Sequence, residues 1–338
     1  MKGRFVILIL AALFAVTCSK ISQVTADDPW IDLNGDKPVR FDSGVLTKTS
    51  LPSNTSFGVF AFLQNGVIGS YTGRWADLAS KHWKPNFMYN EEVDFDGADY
   101  SYSPVRYWPS NSENTITFWA YWPYNSDVSM VNSSGLSDYS ASSEGLPNIR
   151  YTVTDGKTDF MVSDVVADQS RPTVNSPVNF TFHHALSKID FTVLKDDAGD
   201  DFEVHLSSIS LEDMYLTGIN RSDGWTNHSG GLRSLTAYSG SQTVTASETA
   251  VSGSSVMVIP QALERPLQGN AVMLRIVYTL RGAGMSTTKT NASLIALTGS
   301  WARDTHYTYK ITITPNLPIE FTVSWTDWGD AEHYFMSN

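Results

Sequence analysis

Apolar and polar residues alternate strictly along several stretches of this chain. From Tyr307 to Thr314, the residues Tyr307, Tyr309, Ile311 and Ile313 fall on one side, with Thr308, Lys310, Thr312 and Thr314 on the other. That period of two marks a strand with one face buried and one in water. After a turn through Pro315, Asn316, Leu317 and Pro318 the pattern resumes, with Ile319, Phe321, Val323 and Trp325 opposed to Glu320, Thr322, Ser324 and Thr326. Val272, Leu274, Ile276, Tyr278 and Leu280 form a third run, and Ile116, Phe118, Ala120 and Trp122 a fourth. Turn-forming residues separate them. Helical spacing occurs only modestly, from Arg74 to Trp83, through Trp75, Leu78 and His82. The pattern predicts an all-β protein of sandwich type.

A phase change predicts where the chain changes sheet. Val178, Phe180 and Phe182 are the apolar positions of one run, and Ile189, Phe191 and Val193 those of the next. A strand cannot keep one face buried across that switch, so His183, His184, Ala185, Leu186, Ser187 and Lys188 must bend, bulge or hand the chain to another sheet. Upstream, Pro172, Asn175 and Pro177 have the composition of a connector. The 338 residues exceed what one core commonly fills. Two domains are expected, 36–177 and 178–338.

At the N-terminus, Lys2 and Arg4 precede an apolar run from Phe5 to Val16 that is too short to span a bilayer and matches a secretory signal. Cys18, the single cysteine, stands where that run turns polar. Ala15, Val16 and Thr17 occupy the positions that bacterial lipoprotein signals use ahead of an acylated cysteine, with Thr17 an imperfect fit. The expectation is a signal peptide at 1–17, lipid attachment (palmitate) at Cys18 and a lipidated linker at 18–35. A cut after Ala26 is the alternative, and it discards the cysteine. On either reading no disulfide staples the fold.

Composition adds two constraints. The chain carries 23 Lys and Arg against 35 Asp and Glu, a net charge of −12, which argues against nucleic acid as a partner. Its 16 Phe, 15 Tyr and 10 Trp suit strands more than helices.

Several segments, in this order, resemble the fimbrillin family of Gram-negative gut and oral anaerobes. They are Phe57 to Phe62 (FGVFAF), Tyr102 to Pro109 (YSPVRYWP), Ile116 to Tyr121 (ITFWAY), Phe180 to Val193 (FTFHHALSKIDFTV), Val258 to Gln261 (VIPQ), Tyr307 to Ile313 (YTYKITI) and Ile319 to Phe321 (IEF). The resemblance covers nearly the whole mature chain. It implies two transthyretin-like β-sandwich domains in tandem and a structural or accessory subunit of surface pili at the cell outer membrane. Such subunits are exported as lipoproteins, lose their first strand to a protease that cuts after a basic residue, and accept a strand from the C-terminal end of the next subunit. The physics is strand addition: an incomplete sheet exposes unpaired N–H and C=O groups over an apolar slot. Head-to-tail contacts of this kind propagate rather than close.

Carried onto this sequence, the resemblance makes Pro38 to Leu46 (PVRFDSGVL) the candidate removable strand, with processing at Arg40 or Lys48. A cut at Arg40 falls inside the strand, whereas Lys48 lies just past it. The competing reading is a permanent strand with two ordinary surface charges. The candidate donor residues are Ile319, Phe321, Val323 and Trp325 together with Tyr334 and Phe335 of the tail. The first group also fits a plain final core strand. The partners implied are other pilus subunits, the outer membrane through the lipid, and a host or microbial glycan or protein. Shaft, anchor and tip roles stay open.

Other chemistry is weaker. Asp94, Asp96, Asp99, Glu91 and Glu92 offer carboxylates for a glycosidase, but they lie in an Asp-, Asn- and Gly-rich stretch that reads as a solvated loop. No nucleophile elbow or zinc spacing is present, so neither catalysis nor a cofactor is expected. Asp32, Asn34 and Asp36 have the oxygen spacing of a calcium loop, yet Ser43 stands where its glutamate belongs. Trp119 and Tyr121 share the strand face opposite Phe118, where they either meet another element or form a platform for stacking on a sugar. An outer-membrane glycan-binding lipoprotein is the alternative function.

Overall fold

The computed structural model describes residues 37–42, 55–64, 74–75, 83–96, 99–111, 113–126, 130–131, 144–173, 176–196, 202–221, 224–265, 270–282, 284–314, 317–328 and 333–334. These residues form strands, turns and bends, with no helix among them. Of the helical candidate, Arg74, Trp75 and Trp83 are described and 76–82 lie outside the described residues.

Thr55–Gln64 and Thr115–Trp122 pair antiparallel at the centre of a seven-stranded sheet. Met88–Phe95 and Tyr100–Ser101 extend it on one side. Met161–Ser163, Val166–Gln169 and Phe182–His184 complete the other. Phe57 to Gln64 are all buried, which is why this segment shows a continuous apolar run rather than alternation. Its odd residues Phe57, Val59, Ala61 and Leu63 join a cluster with Val39, Phe41, Phe118 and Phe180. Its even residues Phe60 and Phe62, with Trp119 and Tyr121, join a larger cluster that continues through Leu206, Ile276 and Ile311. One sheet thus serves two cores. Gly58 is required at its place because a Cβ there would lie 2.3 Å from Cε1 of the Tyr121 ring.

The second half contributes a sheet in which Ser187–Lys195 lies parallel to Thr305–Ile313 over nine residue pairs. Glu320–Asp327 follows antiparallel, and His333–Tyr334 pairs beyond it. A four-stranded sheet of Arg233–Val244, Phe202–Met214, Met273–Gly282 and Thr288–Ala296 shares the larger core. The predicted faces hold: Tyr307, Tyr309, Ile311 and Ile313 are all buried. The strand Asn148–Thr152 pairs with Thr217–Arg221 of a hairpin from the second half, so the two halves also share hydrogen bonds.

The chain changes sheets where the phase changes. Phe182–His184 pairs with Met161–Ser163, whereas Ser187 already pairs with Thr305. His183 and His184 point apart. Nε2 of His183 lies 3.1 Å from Asp164, while Nδ1 of His184 lies 2.6 Å from Asp159 and its ring stacks on Trp328 with centroids 3.8 Å apart. Trp225 Nε1 donates to the Ala185 carbonyl at 2.6 Å, pinning the corner.

Candidate functional site

Residues 37–42 run as a short extended segment laid over the smaller of the two cores. Pro38 forms an isolated antiparallel bridge with Tyr107, and Phe41–Asp42 pairs parallel with Val178–Asn179. Backbone bonds hold both flanks. Val39 N donates to Arg106 O at 2.8 Å and Trp108 N to Lys37 O at 3.1 Å. On the other side Val178 N donates to Arg40 O at 2.7 Å and Phe180 N to Asp42 O at 3.1 Å. Lys37 Nζ donates to the Pro172 and Thr173 carbonyls, tying the entry down.

The side chains alternate as the sequence does. Val39 and Phe41 are 1% and 5% exposed, while Arg40 points out. Phe41 enters a socket of four rings: Tyr102 at 5.3 Å between centroids, Phe180 at 5.7 Å, Phe118 at 5.9 Å and Phe57 at 6.4 Å. The Tyr102 hydroxyl donates to Val39 O at 2.8 Å and accepts from Arg106 N at 3.1 Å. Burial pushes the Tyr102 phenol well above its ordinary pKa, so it stays a donor at every physiological pH. A cleft of about 610 Å³ opens beside the segment, bordered by Arg40, Asp42, Asp99, Tyr100 and Tyr107. Lifting 37–42 out would leave Arg106 O, Trp108 N, Val178 N and Phe180 N without these partners, over an aromatic slot.

The other candidate residues fall as follows. Arg40 sits mid-segment between the two buried anchors, so a cut there divides the strand. Cys18 and Lys48 lie outside the described residues, as do 43–46 and the calcium half-motif of Asp32, Asn34, Asp36 and Ser43. Glu320–Asp327 is laddered to Thr305–Ile313 along its whole length, which makes it an integral strand. Ile319 is buried, Phe321 and Val323 are half-buried and Trp325 is 38% exposed. Tyr334 ends the two-residue strand His333–Tyr334, and Phe335 lies outside the described residues.

Trp119 and Tyr121 meet another element rather than solvent. They are 6% and 1% exposed, pack on Phe60, and the Tyr121 hydroxyl donates to Asn90 Oδ1 at 2.6 Å. Neither offers a ring face for a sugar. Among the nominated carboxylates, Glu92 accepts from Ser56 Oγ at 2.8 Å and Asp96 from the Asp99 amide at 2.8 Å. Burial raises the Glu91 carboxyl, with Arg106 opposing the shift. Among the described residues no three His, Cys, Asp or Glu side chains could hold a metal.

The profile of the fimbrillin-like family matches residues 45–328. The chain belongs to that family. This fimbrillin-like chain is 26% identical over 234 residues to fimbrium subunit Fim1C of Phocaeicola vulgatus. That match takes in 65% of the chain and 59% of the relative, so it spans under two thirds of the relative's length. A fimbrial protein of Bacteroides vulgatus has a similar fold, with a TM-score of 0.64 at 20% identity, over 86% of this chain and 99% of that one. A Bacteroides uniformis protein named for a proposed role in cell adhesion gives a TM-score of 0.51 at 15% identity, over 86% and 97%. In the fimbrillin-like chain, residues 38–42 of the expected first strand run extended, 43–46 lie outside the described residues, and Tyr102 as the clamp on Val39 was not foreseen. The aromatic run Tyr100, Tyr102, Tyr107 and Trp108 was the available signal.

Proposed function

We propose that the chain is a subunit of surface fimbriae, anchored by lipid at Cys18 of the outer-membrane precursor and assembled by donor-strand exchange. The segment from Pro38 through Asp42 and on to Leu46 is the strand that leaves, after a cut at Lys48 or, less completely, at Arg40. A strand from the next subunit takes its place. In this proposal the C-terminal tail, which includes Tyr334 and Phe335, is the donor. Ile319, Phe321, Val323 and Trp325 stay in their own sheet, because releasing Glu320–Asp327 would break an eight-residue ladder.

One observation carries the reading: 37–42 is held at its flanks by backbone bonds and by two inward side chains. A replacement strand can reproduce the backbone bonds whatever its sequence, and its alternate residues need only match the sockets of Val39 and Phe41. Such a strand is separable by construction. The acceptor is a second sandwich of the same kind, so the contact is head-to-tail and open-ended. In this reading the two sandwich units meet at Ala185 and Leu186, with Val178–Asn179 and Phe182–His184 in the first.

The test is N-terminal sequencing and mass analysis of the protein from cells, before and after limited digestion that cuts at Arg and Lys. Trimming near Lys48 or Arg40 followed by ladders that survive detergent is the expected result. A chain that keeps residues 18–48 and stays monomeric after digestion overturns the exchange.

A further inference from the structure

The four-stranded sheet of the larger core ends on one side at Thr288–Ala296. This strand pairs with Met273–Gly282 over nine residue pairs without a register shift and, among the described residues, with no strand on its other side. The opposite edge differs. Arg233–Val244 meets Phe202–Met214 through three register shifts, and bulges of that kind twist an edge away from further pairing. Thr288–Ala296 has no such protection. Facing residues share a sheet face, so Ala292, Leu294 and Ala296 lie on the solvent side with Val277, Arg275 and Met273. Leu294 is 55% exposed, and Ala292 and Ala296 are exposed beside it. Lys289, Asn291 and Ser293 lie on the other face, opposite the buried Leu280, Tyr278 and Ile276.

The charge around this edge is opposite to that of the chain. From Arg265 to Arg303 there is no Asp or Glu, while Arg265, Arg275, Arg281, Lys289 and Arg303 fall within that stretch, in a protein of net charge −12. Glu212 lies 3.9 Å from Arg275, and Glu203 pairs with Arg281, so those two cations are answered from Phe202–Met214. Lys289 is exposed and has no ion pair among the described residues. We propose that this edge takes an extended acidic segment of a partner protein as a fifth strand. Apolar residues of that segment cover Ala292, Leu294 and Ala296, and carboxylates at its alternate positions meet Lys289 and accept hydrogen bonds from Asn291 and Ser293.

Backbone pairing supplies the affinity of such a contact, and the alternating side chains supply the choice of partner. A lysine on an edge deters strands of its own charge and admits acidic ones, because opposite charges across a strand pair attract and like charges repel. Thr288–Ala296 carries Lys289 and no carboxylate, so the same edge of a second copy offers nothing to neutralise it. The site is separate from residues 37–42 and needs neither lipid attachment nor strand exchange.

The experiment measures binding to the full chain by fluorescence anisotropy at low ionic strength, with a short labelled peptide in which Val and Asp alternate and a counterpart in which Val and Lys alternate. The net charge of −12 favours the Lys peptide over the surface at large, so nonspecific attraction has the wrong sign to mimic the expected result. The Asp peptide should bind at least about threefold tighter, Lys289→Glu should reverse that order, and Leu294→Ser should weaken the Asp peptide about threefold. Both side chains are exposed, so the variants keep the fold, which circular dichroism checks. Equal affinities, a preference for the Lys peptide, no response to Lys289→Glu or an absence of binding overturns the proposal. So does a dimer in sedimentation velocity that Leu294→Ser dissociates, which would assign the edge to a second copy.

Discussion

Phe41→Ala tests whether the first strand is separable. Phe41 is 5% exposed and its ring meets four others within 6.4 Å, so truncation empties a rigid aromatic socket. Core Phe→Ala changes cost about 3–5 kcal/mol, and the lower figure is used here because Val39 and the flanking backbone bonds remain. If 37–42 undocks alone, a loss of about 3 kcal/mol raises the undocked population roughly 150-fold. Arg40 reports on that population. Its side chain is exposed, but its carbonyl is bonded to Val178 N and the preceding residue is bonded to Arg106 O, so a protease must wait for undocking. Where opening and closing are fast, cleavage follows the open population. Trypsin should therefore cut the variant after Arg40 about two orders of magnitude faster than the parent, while the remaining chain keeps its near-ultraviolet dichroism. A rate within twofold of the parent would refute the docking argument. A single global loss of stability with no selective cut would show a permanent strand.

Three further outcomes are expected. Tyr102→Phe removes the hydroxyl that bridges Val39 O and Arg106 N, and urea denaturation should show a loss of about 1 kcal/mol, with faster cutting at Arg40. Gly58→Ala drives a methyl into the Tyr121 ring and should cost about 1–3 kcal/mol in the same assay, without selective exposure of Arg40. Burial alone would raise the Asp190 carboxyl, but hydrogen bonds from His306 and Ser255 and the charge of Lys188 bring it below its ordinary pKa. A lowered acid stabilises the fold above the unfolded value of about 3.9, and that stability drains away as pH falls through the folded value. Urea midpoints measured from about pH 5 down to about pH 3 should fall more steeply for the parent than for Asp190→Asn, and equal slopes would count against the assignment.

Much of this was legible in the alternation. Thr305–Ile313 and Met273–Gly282 expose one face, so their polar residues print the period directly. Thr55–Gln64 is covered on both faces and prints none, which is why alternation marked neither the strand nor its two neighbours. The sheet change at His183 to Ser187 was visible because a register switch inverts every face. What stayed hidden is long-range pairing: Asn148–Thr152 joining Thr217–Arg221, and Ser187–Lys195 lying parallel to Thr305–Ile313. Nothing local encodes a partner that lies 65 to 118 residues away. Trp119 and Tyr121 show the same limit, since only the packed structure decides whether an outward aromatic pair meets water or a second core. The segment around Phe41 could be read as a strand, but the socket of Phe57, Tyr102, Phe118 and Phe180 is gathered from four separate segments.

The sheet of Thr55–Gln64 and Thr115–Trp122 is a party wall, with Phe57 and Phe118 facing one room and Phe60, Phe62, Trp119 and Tyr121 facing the other. Two halves that share a wall do not melt like beads on a string. Heating should give one calorimetric transition whose enthalpy matches the full chain. The second half expressed alone would present a bare apolar side and precipitate. The same wall means that strain entering through residues 37–42 is shared by both cores.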